Sequence, residues 1–143
     1  MSLPTRFRTC IRNRPAELPA LLAEARRFGE SHRLGPSSLY LLELAIEELV
    51  TNVVKYGYDD ANEHPIRIGI DLQPDHLLLT VEDDGHPFNP LERDPPDTTK
   101  PPEERTIGGL GLHMVRKMSE QMEYRRQGDA NVVTVRIRRE TDG

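Results

Sequence analysis

The chain has 143 residues, near the size of one domain, and its 19 Lys and Arg against 24 Asp and Glu leave a net charge of −5. One core over residues 1–143 is expected, with no basic footprint for direct nucleic-acid binding. An apolar content of 36% beside 30% charged residues excludes a disordered chain.

Cys10 is the single cysteine, so no internal disulfide or cysteine-based zinc site is available. No run approaches the about 18 apolar residues of a membrane span, and residues 1–8 carry no apolar leader. The expectation is a cytoplasmic protein away from the membrane.

Residues 5–11 alternate polar and apolar, as a half-buried strand does. Pro15 suits a first helical turn, and Leu18, Leu21, Leu22 and Ala25 continue at helical spacing to about Phe28. Gly35-Pro36-Ser37-Ser38 breaks that helix and offers Ser37 or Ser38 as the next cap. From Leu39 to about Tyr56, Leu42, Ile46, Leu49 and Val53 form one apolar stripe, widened by Leu39 and Val50. Gly57 ends this helix. Residues 66–72 and 77–82 then read as two strands joined by Gln73-Pro74-Asp75.

Residues 83–106 have no period and carry Pro87, Pro90, Pro95, Pro96, Pro101 and Pro102. A loop of that length is usually functional. A third helix is expected from Leu110 to about Glu120, behind Gly108, Gly109 and Gly111. Residues 122–126 and 132–137 close the chain as strands. There is no internal repeat. The class is α+β: a two-layer sandwich, with a mostly antiparallel mixed sheet and helices on one face. Phe7, Phe28 and Phe88 are expected in its core.

Three constellations carry chemistry. On the long helix, Asn52 lies about 40° round and roughly 6 Å along from Glu48, with Lys55 on the same face. A carboxylate, an amide oxygen and an ammonium in a column suit a metal–phosphate group. Next, a strand runs into Asp83-Asp84-Gly85, placing at its end an acceptor-only carboxylate able to take a hydrogen bond from an exocyclic amine. Last, Gly108-Gly109-Leu110-Gly111-Leu112 opens a helix, where bare backbone N–H groups suit an anion. Taken singly, these are also a solvated helix face, a plain turn and a loose loop end.

In this order and spacing they resemble the Bergerat-fold (GHKL) ATPase superfamily of gyrase, histidine kinases and MutL. The likeness is closest to its stand-alone serine-protein kinase and anti-sigma factor branch (anti-sigma B factor type), and it covers about residues 5 to 139. The resemblance implies ATP and Mg²⁺ as cofactors, with Glu48 as general base and Asn52 as metal ligand. It puts Lys55 near the triphosphate and Asp83 on the adenine amino group, with Gly85 allowing the ring's close approach. It gives Gly109, Gly111 and Leu112 to the phosphates at the base of a lid of residues 89–107. Arg105 becomes a phosphate contact, and Thr134 a late hydroxyl that helps hold adenine. Glu47 and Asp84 are the neighbours that could be mistaken for Glu48 and Asp83; helical phase favours Glu48, and the middle residue of Asp-x-Gly usually faces solvent.

The implied function is a serine/threonine protein kinase in a partner-switching circuit. Its partners would be a STAS-domain antagonist, a sigma factor as the other client, and a second copy of itself. The rival is a binding module that holds nucleotide and sequesters a partner without turnover. Half of a split histidine kinase fits less well, because no histidine heads a His-Glu pair: Arg follows His32, Pro follows His64 and Met follows His113.

Overall fold

The computed structural model describes residues 4–92 and 109–140. The N-terminal alternation becomes strand β1 (Arg6–Arg12). A 3-10 turn at Pro15–Glu17 leads into helix α1 (Leu18–Ser31), which runs past Phe28 through Gly29. There the missing side chain makes room for the next helix, since a Cβ at Gly29 would lie 2.8 Å from Cδ1 of Leu39.

Helix α2 (Pro36–Tyr56) starts three residues before Leu39, with Pro36 in its first turn and Gly35 as an N-cap that makes no side-chain cap bond. Neither serine caps it. Ser38 is buried, and its hydroxyl donates to the Arg138 carbonyl at 2.7 Å while accepting from the Glu140 N–H at 2.7 Å. The serine thus ties the far end of the chain to the start of the central helix.

Strands β2 (Pro65–Leu72) and β3 (His76–Asp83) form the expected hairpin. Helix α3 (Gly109–Met118) precedes β4 (Gln121–Gln127) and β5 (Ala130–Arg138). The two residues between these strands begin with Gly128 at φ 60°, the left-handed first position of a II′-type hairpin.

The sheet order is β1-β2-β3-β5-β4, and every pairing is antiparallel. The expected mixed sheet is therefore corrected to a purely antiparallel one. Two helices between β1 and β2 return the chain reversed. Strand β4 runs in the direction of β3, but β5 lies between them, so no parallel pair forms among the described residues.

Period-two alternation sorts the sheet into two faces. Ile66, Ile68, Ile70, Leu77, Leu79, Val81, Val133, Val135 and Ile137 are buried under the helices with Leu42, Ile46 and Leu49 of α2. Arg67, Asp71, Thr80, Glu82 and Arg136 occupy the alternate positions and remain partly or fully exposed. The rings of Phe7 and Phe28 pack tilted against each other, 5.6 Å between centroids, beside this core.

Leu42 is 0% exposed, so Leu42→Ala removes contacts on all sides and is expected to cost about 2–5 kcal/mol. Urea denaturation measures this as a lower midpoint with little change in slope. No helix among the described residues is long and apolar enough to cross a membrane.

Candidate functional site

The inward columns of β3 and β5 end in polar residues. Leu77, Leu79 and Val81 lead to Asp83, while Ile137, Val135 and Val133 lead to Asn131. The register pairs these two end residues directly. Both are buried, at 6% and 3% exposure. Oδ1 of Asp83 accepts from the Gly85 N–H at 2.9 Å and from Nδ2 of Asn131 at 3.0 Å. A buried carboxylate survives only where such donors replace its lost water.

Beside this pair lies a narrow, largely apolar cavity of about 20 Å³. Its walls are Leu49, Asn52 and Val53 of α2, Val81 and Val133 of the sheet, and Phe88 and Pro90 of the following loop. Phe88 is therefore not a core residue as expected; it stacks on Tyr56 at 5.8 Å at the rim. Asn52 is 6% exposed and sits on the cavity wall, one helical turn beyond Glu48.

Helical phase separates the two glutamates: Glu47 is exposed, whereas Glu48 is half-buried and turned toward α3. A Cβ on Gly111 would overlap the Glu48 carboxylate, so a larger residue there would push that side chain out of its present position. Gly109 starts that turn, where backbone N–H groups are without helical partners.

Gly85 has a packing reason of its own. A Cβ there would collide with the Gly57 carbonyl, the same oxygen that accepts from the His86 N–H at 3.1 Å. The glycine seats the β3 loop on the end of α2. Asp84 is exposed, as the Asp-x-Gly pattern implies.

Other expected site residues stand elsewhere. Lys55 is on the helical face of Glu48 and Asn52 but is exposed and does not line the cavity. Leu112 is 2% exposed and packs in the hydrophobic core. The structure does not bring Thr134 to the cavity, because it lies out of phase with Asn131 and Val133. It pairs with Thr80 on the sheet's other face and lines a shallow depression there with Val132 and Glu123. Arg105 and residues 93–107 of the expected lid lie outside the described residues.

The structure adds residues that sequence reasoning missed. Asn131 is the foremost, and its signal was present: it opens the apolar alternation of β5 on the inward parity. Tyr124 donates to Oδ1 of Asn131 at 2.6 Å, and Nη1 of Arg126 donates to the Gly85 carbonyl at 2.7 Å.

Tyr58, just past α2, donates to a carboxylate oxygen of Asp84 and accepts from the Asp84 N–H at 3.2 Å. Burial first, and that carboxylate second, push its phenol well above the ordinary range. Its ring stacks on His64 at 3.8 Å, and the hydrogen bond to His64 holds the Asp60 carboxyl below its usual value.

A cavity walled by one long helix and the inner sheet face, with a buried carboxylate at its edge, is the candidate small-molecule site of this α+β domain. The chain belongs to the histidine kinase-like ATPase domain family, whose model matches residues 11–137. It is 29% identical over 105 residues to the serine-protein kinase RsbW of Oceanobacillus iheyensis, covering 69% of this chain and 66% of that protein. To the RsbW of Bacillus cereus it is 33% identical over 105 residues, covering 69% and 64%. To the anti-sigma F factor of Oceanobacillus iheyensis it is 30% identical over 95 residues, 64% of each chain.

The matches thus span just under two thirds of the length of these relatives. Among solved structures, the RsbU and RsbW domains of Rv1364c from Mycobacterium tuberculosis superpose with a TM-score of 0.69. The match covers 96% of this chain and 33% of that one, at 16% identity, and shows a common fold.

Proposed function

We propose that this domain is an ATP-dependent protein serine/threonine kinase that acts as an anti-sigma factor by partner switching. The observation that carries the reading is the pairing of two features across one helix. Asp83 stands buried beside an apolar cavity, and Glu48 stands one helical turn from Asn52, against the glycine turn of α3. The first suits a purine with an exocyclic amine. The second suits the phosphates and the reacting hydroxyl.

In this reading the hydroxyl oxygen of a serine or threonine attacks the γ-phosphorus. The bond to the β-phosphate oxygen breaks, ADP leaves with the electron pair, and Glu48 takes the hydroxyl proton. Backbone N–H groups at Gly109 and Gly111 cradle phosphate oxygens, and Lys55 and Arg105 supply positive charge near them. The amide oxygen of Asn52, a buried residue, suits Mg²⁺, a hard cation that takes oxygen ligands. When bound, the ion neutralises phosphate charge.

The acceptor is a STAS-type antagonist. Phosphate on its surface adds about two negative charges and weakens its complex with the kinase, freeing the kinase for a sigma factor. A second copy of the chain is expected to cover part of the sheet face that the helices leave open.

The test is incubation with γ-labelled ATP, Mg²⁺ and a purified STAS-domain protein encoded beside this one. The expected result is label on a serine or threonine of the STAS protein, with matching ADP release. Tight ATP binding without label would favour sequestration over catalysis.

A further inference from the structure

We infer that Asn131, held by Tyr124, is the positioning residue that makes the pocket selective for a 6-aminopurine. The inference rests on the nucleotide-site reading above and concerns two residues that the sequence pattern did not single out. Asn131 uses all four of its hydrogen-bonding positions. Its Nδ2 donates to Oδ1 of Asp83 at 3.0 Å and to the His86 carbonyl at 2.9 Å. Its Oδ1 accepts from the Tyr124 hydroxyl at 2.6 Å and from the Phe88 N–H at 3.4 Å.

The orientation of the amide is forced by its neighbours. A backbone N–H can only donate, and a carbonyl or an ionised carboxylate can only accept. Flipping the amide would set its NH₂ against the Phe88 N–H and its oxygen against the Asp83 carboxylate. At 3% exposure no water relieves such a mismatch.

The consequence falls on Asp83. Oδ1 already receives two donors, from Gly85 and Asn131, which pins the plane of the carboxylate. Oδ2 is then the oxygen left for a ligand. It accepts from the amine at purine C6, and repels a ligand that presents a carbonyl oxygen there. Without Asn131 the carboxylate can rotate, and the distinction between amine and no amine weakens. Asn131 also ties this carboxylate to the loop that supplies Phe88 and Pro90 to the cavity wall, through His86 and Phe88.

The experiment compares Mg-ATP with the triphosphate of purine riboside, which carries hydrogen in place of the amine. Both are titrated calorimetrically into the wild-type chain, Asn131→Ala and Tyr124→Phe, with thermal melts to establish folding. The wild type is expected to prefer ATP by at least about tenfold, the worth of one hydrogen bond to a charged group. Asn131→Ala should weaken ATP about 10- to 100-fold and leave the amine-free analogue within about threefold, collapsing the preference. Tyr124→Phe should reduce the preference by a smaller factor in the same direction.

Equal weakening of both ligands, or an unchanged preference in the folded variants, overturns the inference while the nucleotide site stands. If Asn131→Ala does not fold, the Tyr124→Phe ratio alone decides. A folded wild type that binds neither ligand overturns the inference and the site reading together.

Discussion

Replacing Asp83 with asparagine is expected to weaken ATP binding by about 10- to 100-fold while leaving the fold in place. The carboxylate meets two donors on one oxygen, from Gly85 and Asn131. An asparagine amide must choose. With its oxygen toward those donors, its NH₂ faces the incoming amine and repels it. With its NH₂ toward them, two buried donors would face a third, so the first orientation is the one adopted. Either orientation loses a hydrogen bond to a charged acceptor. Calorimetric titration with Mg-ATP measures the loss, and a thermal melt within a few degrees of wild type separates it from unfolding. An affinity within twofold of wild type would remove Asp83 from the site.

The second large effect is on turnover. Glu48→Gln keeps the size of the side chain, and thus its packing against Gly111, but can no longer take a proton. Phosphoryl transfer to a STAS partner should fall by about 10²–10⁴, the usual span of general-base catalysis. Affinity for ATP should remain within about threefold, because the side chain works on the acceptor hydroxyl. Glu47→Gln is the internal control: its carboxylate is exposed on the adjacent phase of α2 and should leave transfer unchanged. Single-turnover rates with labelled ATP distinguish the two. A Glu47 variant that fails while the Glu48 variant turns over would reverse the assignment.

Much of the fold is legible in the chain because its elements obey simple periods. The stripe of Leu42, Ile46, Leu49 and Val53 reads as α2, and the phase of that helix separates Glu48 from Glu47. What the period misses is set by long-range partners. Ser38 looks like a cap by residue type, yet its hydroxyl is taken by Arg138 and Glu140, about a hundred residues away. Local preference yields there to a tertiary bond.

In β5 the error is one of parity. Thr134 is attractive as a hydroxyl, but residues 131, 133, 135 and 137 face the helices, so the polar residue brought to Asp83 is Asn131. The strand period, applied to that segment, identifies it. Arg126 could be assigned only once the pairing of β4 with β5 was known, since Arg125 and Arg126 are alike as sequence and differ by face. The mostly antiparallel mixed sheet expected for the α+β class is antiparallel at every pairing because β5 inserts between β3 and β4, an order no local pattern encodes.

The most direct measurement is a crystal structure of the full chain with Mg²⁺ and a non-hydrolysable ATP analogue. The expected map shows the purine between Leu49, Val53 and Val133, its amine on Asp83, and its phosphates running past Asn52 to the turn at Gly109 and Gly111. Nucleotide bound on the open face of the sheet, or a purine whose amine points away from Asp83, would contradict the account.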